Sequence, residues 1–139
     1  MPLLHFYHSE NVFSAQDKQE IASKITSLYE RVLPRFYVNV LFHALKPENF
    51  YIGSLPVDDF VRVSIDHIAR SFDDDKSRNQ FLSIFTAIVN PYIADRGLRW
   101  ELHIDETPIE LWTIQGMVPP PPFSEAESKW RSDNFPSAY

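Results

Sequence analysis

Pro2 has the most unusual chemical potential of any residue in this 139-residue chain. A small second residue permits removal of the initiator Met1, and the mature chain would then begin with a secondary amine. Such an amine takes up and releases a proton, which the ordinary imide nitrogen of proline cannot do. An unperturbed α-amino group titrates at roughly pH 7.7–8.0, so a modest environmental push poises it as a general base near neutrality. The other chemistry-bearing residues are less clear-cut. His5, His8 and His43 alternate along strand-like segments without carboxylate spacing, and no metal centre is expected from them. His67 shares a side with Val61, Val63 and Ile65; it reads equally as a half-buried histidine bonded to a backbone carbonyl or as a site residue. His103 alternates away from Trp100, Leu102 and Ile104, and Tyr29 falls on the apolar stripe of a helix. The Asp73–Asp75 run reads as a helix N-terminus rather than a cation site.

Composition removes several classes. With no cysteine there are no disulfides, thiol nucleophiles or cysteine-ligated zinc. A formal charge of −6 without any basic cluster argues against a nucleic-acid partner. Neither a GxGxxG nor a P-loop glycine pattern is present, and no cofactor is implied. No run approaches the length of a membrane span, and the first residues lack a signal-peptide pattern. A cytoplasmic protein without membrane association is therefore expected.

The elements that must position these residues come in two matching sets. Leu3 to His8 reads as a strand, and Ser14 with Asp17 forms a capping box ahead of a helix. Ile21, Ile25, Leu28, Tyr29 and Val32 give that helix one apolar face, and Pro34 ends it. Phe36 to His43 alternates as a second strand, and Phe50–Ile52 suggests a short edge strand. A third strand is predicted to run through Val61, Val63 and Ile65 to about His67. A second helix follows the Asp73–Asp75 run, bearing Phe81, Leu82, Phe85, Ile88 and Val89. Pro91 should shorten its last turn, and Trp100, Leu102 and Ile104 mark the last main strand.

A shift of 60 positions puts Ile21 on Phe81, Ile25 on Phe85, Thr26 on Thr86 and Leu28 on Ile88. Two β-α-β units are thus expected, each a right-handed crossover between parallel strands. Joined edge to edge they form an α+β fold with a four-stranded mixed sheet and two helices on one face. The other face, expected to be open and substantially apolar, argues for oligomerisation. Residues 1–118 form this domain, with units at about 2–57 and 58–113. The Pro119–Pro122 run opens a C-terminal extension, 119–139, whose Phe123, Trp130, Phe135 and Tyr139 should pack on the domain or a neighbouring subunit, with a helical turn near Glu125–Arg131.

The proline after Met1 and the doubled β-α-β pattern resemble the tautomerase superfamily, closest to its cis-3-chloroacrylic acid dehalogenase group and related 4-oxalocrotonate tautomerase-like proteins. The stretches "MPLLHFYHSENVFSAQDKQEIASKIT", "FYVNVLFHALKPENFYIGS", "VSIDHIARS", "WELHIDETP" with "IQG", and "KW" at 129–130 carry the likeness. It implies a homotrimer with Pro2 as general base or acid and Arg70 as the binder of a substrate carboxylate. His67 occupies the position of the group's other arginine, Tyr29 that of a helix histidine, and His103 that of a late-strand tyrosine. Ile114 stands where the group has a water-activating glutamate, which argues against hydrolytic dehalogenation. The resemblance therefore implies an isomerase acting by keto-enol or related lyase chemistry on a small 2-oxo or unsaturated carboxylate. A trimeric binding or structural protein with lost catalysis is the alternative.

Overall fold

The structure, a computed structural model, describes residues 1–68 and 70–139. In chain order the main elements are β1 (Pro2–Ser9), α1 (Ala15–Tyr29), β2 (Asn39–Leu45), β3 (Tyr51–Ile52), β4 (Leu55–Pro56), β5 (Phe60–Ile68), α2 (Asp75–Val89), β6 (Arg99–Thr107) and α3 (Glu125–Asp133). β1 pairs with β2 in parallel across α1, and β5 pairs with β6 in parallel across α2. The two units join antiparallel through β1 and β5, giving one mixed sheet in the order β2-β1-β5-β6. The repeat is close: α1 and α2 are each 15 residues long and start 60 positions apart.

Local chemistry explains the helix boundaries. Ser14 and Asp17 form the expected reciprocal capping box on α1, and Asp74 with Ser77 forms another on α2. Ile21, Ile25 and Tyr29 of α1 and Phe85 and Val89 of α2 are buried against Leu4, Phe6, Val61, Val63 and Ile65 of the two central strands. Both helices therefore cover one sheet face. Each fully buried aliphatic or aromatic side chain there is worth about 1.5–3 kcal/mol.

Three expectations change. The second strand begins at Asn39 rather than Phe36, because Pro34 leads into a 3-10 turn over Arg35–Tyr37. The open sheet face is mixed rather than uniformly apolar. Alternation gives it Leu3, His5 and Tyr7 from β1, Leu41, His43 and Leu45 from β2, Arg62, Ser64 and Asp66 from β5, and Glu101, His103 and Asp105 from β6. There His5 Nδ1 lies 2.9 Å from His43 Nε2, and Arg62 bridges Glu101 (2.9 Å) and His103 (2.6 Å). The helical turn in the extension is a nine-residue helix, α3, capped by Ser124. Trp130 anchors it, fully buried against Phe36 and Tyr37, with its indole N–H donating to the Ser137 carbonyl at 2.7 Å. Asn134 closes α3 at a φ of 49°, a left-handed conformation that asparagine tolerates.

Candidate active site

Pro2 opens β1 directly opposite His67 in the antiparallel β1–β5 register, so both side chains face the helices. The chain end is held in this corner by a two-way contact. The Ile68 N–H donates to the Met1 carbonyl at 2.8 Å, and the Met1 amine donates to the Ile68 carbonyl. Burial is the main reason that this amine is pushed down from 8.0 to about 5. The positive charge of Arg70 adds to the effect and the carboxylate of Glu127 opposes it.

Tyr29, at the last turn of α1, reaches across to β5, where its Oη lies 2.7 Å from His67 Nε2. Burial raises the phenol's pKa, so Tyr29 stays protonated across the physiological range. His67 is only 6% exposed and sits between Phe72 and Phe81, with ring centroids 4.9 and 5.0 Å away. Its pKa falls from 6.5 to about 4, chiefly through burial and further through the terminal amine, with Glu106 acting in the opposite direction. The imidazole is consequently neutral at pH 7.

Arg70 follows β5 and points back toward the chain terminus, where its charge acts on the Met1 amine. Its Nη2 donates to Glu127 Oε1 at 2.7 Å, and its guanidinium lies 5.1 Å from the centre of the Phe123 ring. Glu127 is 5% exposed; its second oxygen accepts the Phe123 N–H at 2.7 Å. The C-terminal extension thus supplies both a carboxylate and an aromatic ring to the arginine.

Pro2, Tyr29, His67 and Arg70 line a single cavity of about 200 Å³ whose remaining walls are mainly apolar. His103, the fifth residue expected here, is not brought to it within the protomer. It lies on the opposite sheet face, accepting from Arg62 at Nδ1 with Nε2 3.3 Å from Asp105. Strand parity accounts for this, since residues on the side of Leu102 and Ile104 face the helices and His103 falls between them. Ile114, in turn, bonds back to Met117 in a tight turn and lies outside the cavity lining.

Two carboxylates near the cavity escaped sequence reasoning. Glu106 has the same parity as Ile104, pairs in register with His67, and accepts the Phe72 N–H at 2.9 Å. Counting along the last strand would have found it. Glu127 offered no such signal, because it lies in a polar tail segment 57 residues beyond Arg70.

Two β-α-β units sharing one sheet, with a proline at the head of a central strand, define a protein of the tautomerase superfamily. Over residues 1–135 the chain matches the family described as "Putative oxalocrotonate tautomerase enzyme", and it belongs to that family. The native RhCC protein of Rhodococcus jostii RHA1 is 41% identical, each chain covering 99% of the other, with a TM-score of 0.94. A probable enzyme of the thermophilic fungus Aspergillus fumigatus is 34% identical over 100% of this chain and 98% of its own, with a TM-score of 0.95. The protein N1, a member of the cis-3-chloroacrylic acid dehalogenase family, shares the fold at 19% identity and a TM-score of 0.73, over 94% and 96% of the two chains. Comparison with curated proteins yields no match. Among the described residues no helix is long and apolar enough to cross a membrane.

Proposed function

We propose that, once Met1 is removed, the Pro2 amine acts as the general base and acid of a tautomerase acting on a small 2-oxo carboxylate. The observation that carries this reading is the convergence of Pro2, Arg70 and the Tyr29–His67 pair on one cavity. Burial and the Arg70 charge lower the pKa of the Met1 amine in this corner, and on a Pro2 amine left beside it the same two influences would act in the same direction, toward the unprotonated state a base requires.

The step balances as follows. Arg70 pairs with the substrate carboxylate, a role that suits a guanidinium. Pro2 takes the proton from the enol hydroxyl, and the electron pair moves through to C3. The resulting ammonium then delivers its proton to C3, leaving the 2-oxo acid and a neutral amine. Tyr29 donates its O–H toward the oxygen that carries charge between these events, while neutral His67, as the Nε2–H tautomer, donates to Tyr29 Oη and holds it in place. His103 has no part in this scheme.

We also infer a homotrimer. Among the described residues the edge strands β2 and β6 each pair with a strand on one side alone. Proteins of the same fold have been solved as fused 4-oxalocrotonate tautomerase trimers. Sedimentation should then return three times the 16.2 kDa protomer mass.

Intact-mass analysis should find the native chain starting at Pro2, and that protein should ketonise phenylenolpyruvate. Pro2→Ala should slow the reaction about a hundredfold or more, the scale of a lost general base, and Arg70→Ala should act mainly on KM. Full retention of Met1 in the active protein, or an unchanged rate in Pro2→Ala, would refute the mechanism.

A further inference from the structure

A second cleft, of about 230 Å³, opens between the end of α1 and the C-terminal extension. Arg31 and Val32 line it just past α1, and Phe123, Glu127, Ser128 and Arg131 line it from the extension. Arg131 stands in the last turn of α3, where its Nη1 donates to the Arg31 carbonyl at 3.4 Å and ties the two segments together. The carboxylates nearby in sequence are accounted for. Glu30 pairs with Arg35, Asp133 pairs with Lys129 at 2.6 Å, and Glu127 accepts from Arg70 and from the Phe123 N–H, both at 2.7 Å. Glu125, the remaining carboxylate of α3, does not line the cleft. Among the described residues neither Arg31 nor Arg131 enters an ion pair. Two guanidinium groups without a counter-charge therefore share one small cleft, on a chain whose formal charge is −6.

We propose that this cleft binds a small phosphate ester through Arg31 and Arg131. Like charges placed together repel, and an anion of sufficient charge between them turns that repulsion into attraction. A guanidinium presents its N–H groups in a fork that matches phosphate oxygens. An ester phosphate carries about −1.5 to −2 charges at pH 7, enough to answer both arginines at once, whereas a monocarboxylate answers only one. The Ser128 hydroxyl adds a donor on the same wall. Val32 and Phe123 are exposed, and they offer the organic part of the ester an apolar surface to lie on. The volume of about 230 Å³ sets the scale to a compact ester. The site is independent of the mechanism at Pro2, since Pro2, Tyr29 and His67 do not line this cleft.

The test is calorimetric titration of the full chain with phenyl phosphate and with inorganic phosphate, near neutral pH and at low ionic strength, where screening is weakest. We expect phenyl phosphate to bind with a Kd of about 1 mM or tighter. Inorganic phosphate should bind at least about threefold more weakly, having no group to lay on Val32 and Phe123. Arg31→Gln and Arg131→Gln should each weaken phenyl phosphate at least about fivefold. Both arginines are exposed, so the substitutions leave the core intact. Arg78→Gln removes the same charge from an exposed arginine paired with Asp75 and should change the affinity by less than about twofold. No binding of phenyl phosphate, equal or tighter binding of inorganic phosphate, or a loss in Arg78→Gln that matches the cleft variants would overturn the proposal. Binding that survives both cleft substitutions would place the anion elsewhere and overturn it as well.

Discussion

Acid should destabilise this protein through His67, and the size of the effect follows from where that residue sits. Its imidazole is enclosed by Tyr29, Phe72 and Phe81, with Glu106 and the chain terminus as the nearby titratable groups. In the folded chain its pKa is held at about 4, against 6.5 when unperturbed. Between those values the unfolded chain binds a proton that the folded chain refuses. Stability is therefore fully present above pH 6.5 and drains away as the pH falls toward 4. The gap corresponds to about 3 kcal/mol, a large share of a typical domain's total. The measurement is urea denaturation at pH 7.0 and pH 4.5 for the wild type and for His67→Gln, which keeps a hydrogen-bonding partner for Tyr29 but cannot take the proton. The terminal amine is present in both proteins, and its charge enters the comparison only as part of what lowers the His67 pKa. The wild type should lose about 2–3 kcal/mol more than the variant over this interval, a midpoint difference on the order of 1 M urea. Parallel losses in the two proteins would show that His67 is not held neutral by burial.

Two further outcomes concern the C-terminal extension. Glu127→Gln removes the charge that Arg70 faces and should cost about 2–4 kcal/mol, since one partner of a largely buried pair is left behind. It should also lower KM for a carboxylate substrate, because the Arg70 charge is no longer shared with a second carboxylate, whereas a purely structural role would leave KM unchanged in the surviving folded protein. Trp130→Ala empties a fully buried site against Phe36 and Tyr37, and chemical denaturation should show a loss of about 3–5 kcal/mol.

Much of the architecture is legible in local patterns. The strands announce themselves by alternation at Val61, Val63 and Ile65 and at Trp100, Leu102 and Ile104. The helices are announced by capping residues at Ser14 and Asp74, and the 60-residue offset ties the two sets together. Register also carries information. The parity that puts Glu106 beside His67 also puts His103 on the opposite face, so alternation alone could have corrected that assignment. The open face is a different case. It is expected to be apolar because the strands contain many apolar residues, but most of those fall on the helix side, leaving histidine, arginine and carboxylate groups interspersed with Leu3, Tyr7, Leu41 and Leu45 outside.

By itself, then, the sequence determined the doubled β-α-β plan, the proline at its head and the absence of thiol chemistry, because each of these follows from residue identity or from periodicity within a few turns. Only the tertiary structure decided which polar groups meet. Pro2 joins His67 because two distant strands pair antiparallel; Tyr29 reaches that pair from the end of a helix; and Glu127 returns from the tail to hold Arg70. Contacts separated by tens of residues are set by packing rather than by spacing, and a buried carboxylate in a polar tail has no period that would reveal its partner. The chemistry open to Pro2 depends on that packing, since the burial and the neighbouring Arg70 charge that lower the terminal amine's pKa exist only once the chain has folded.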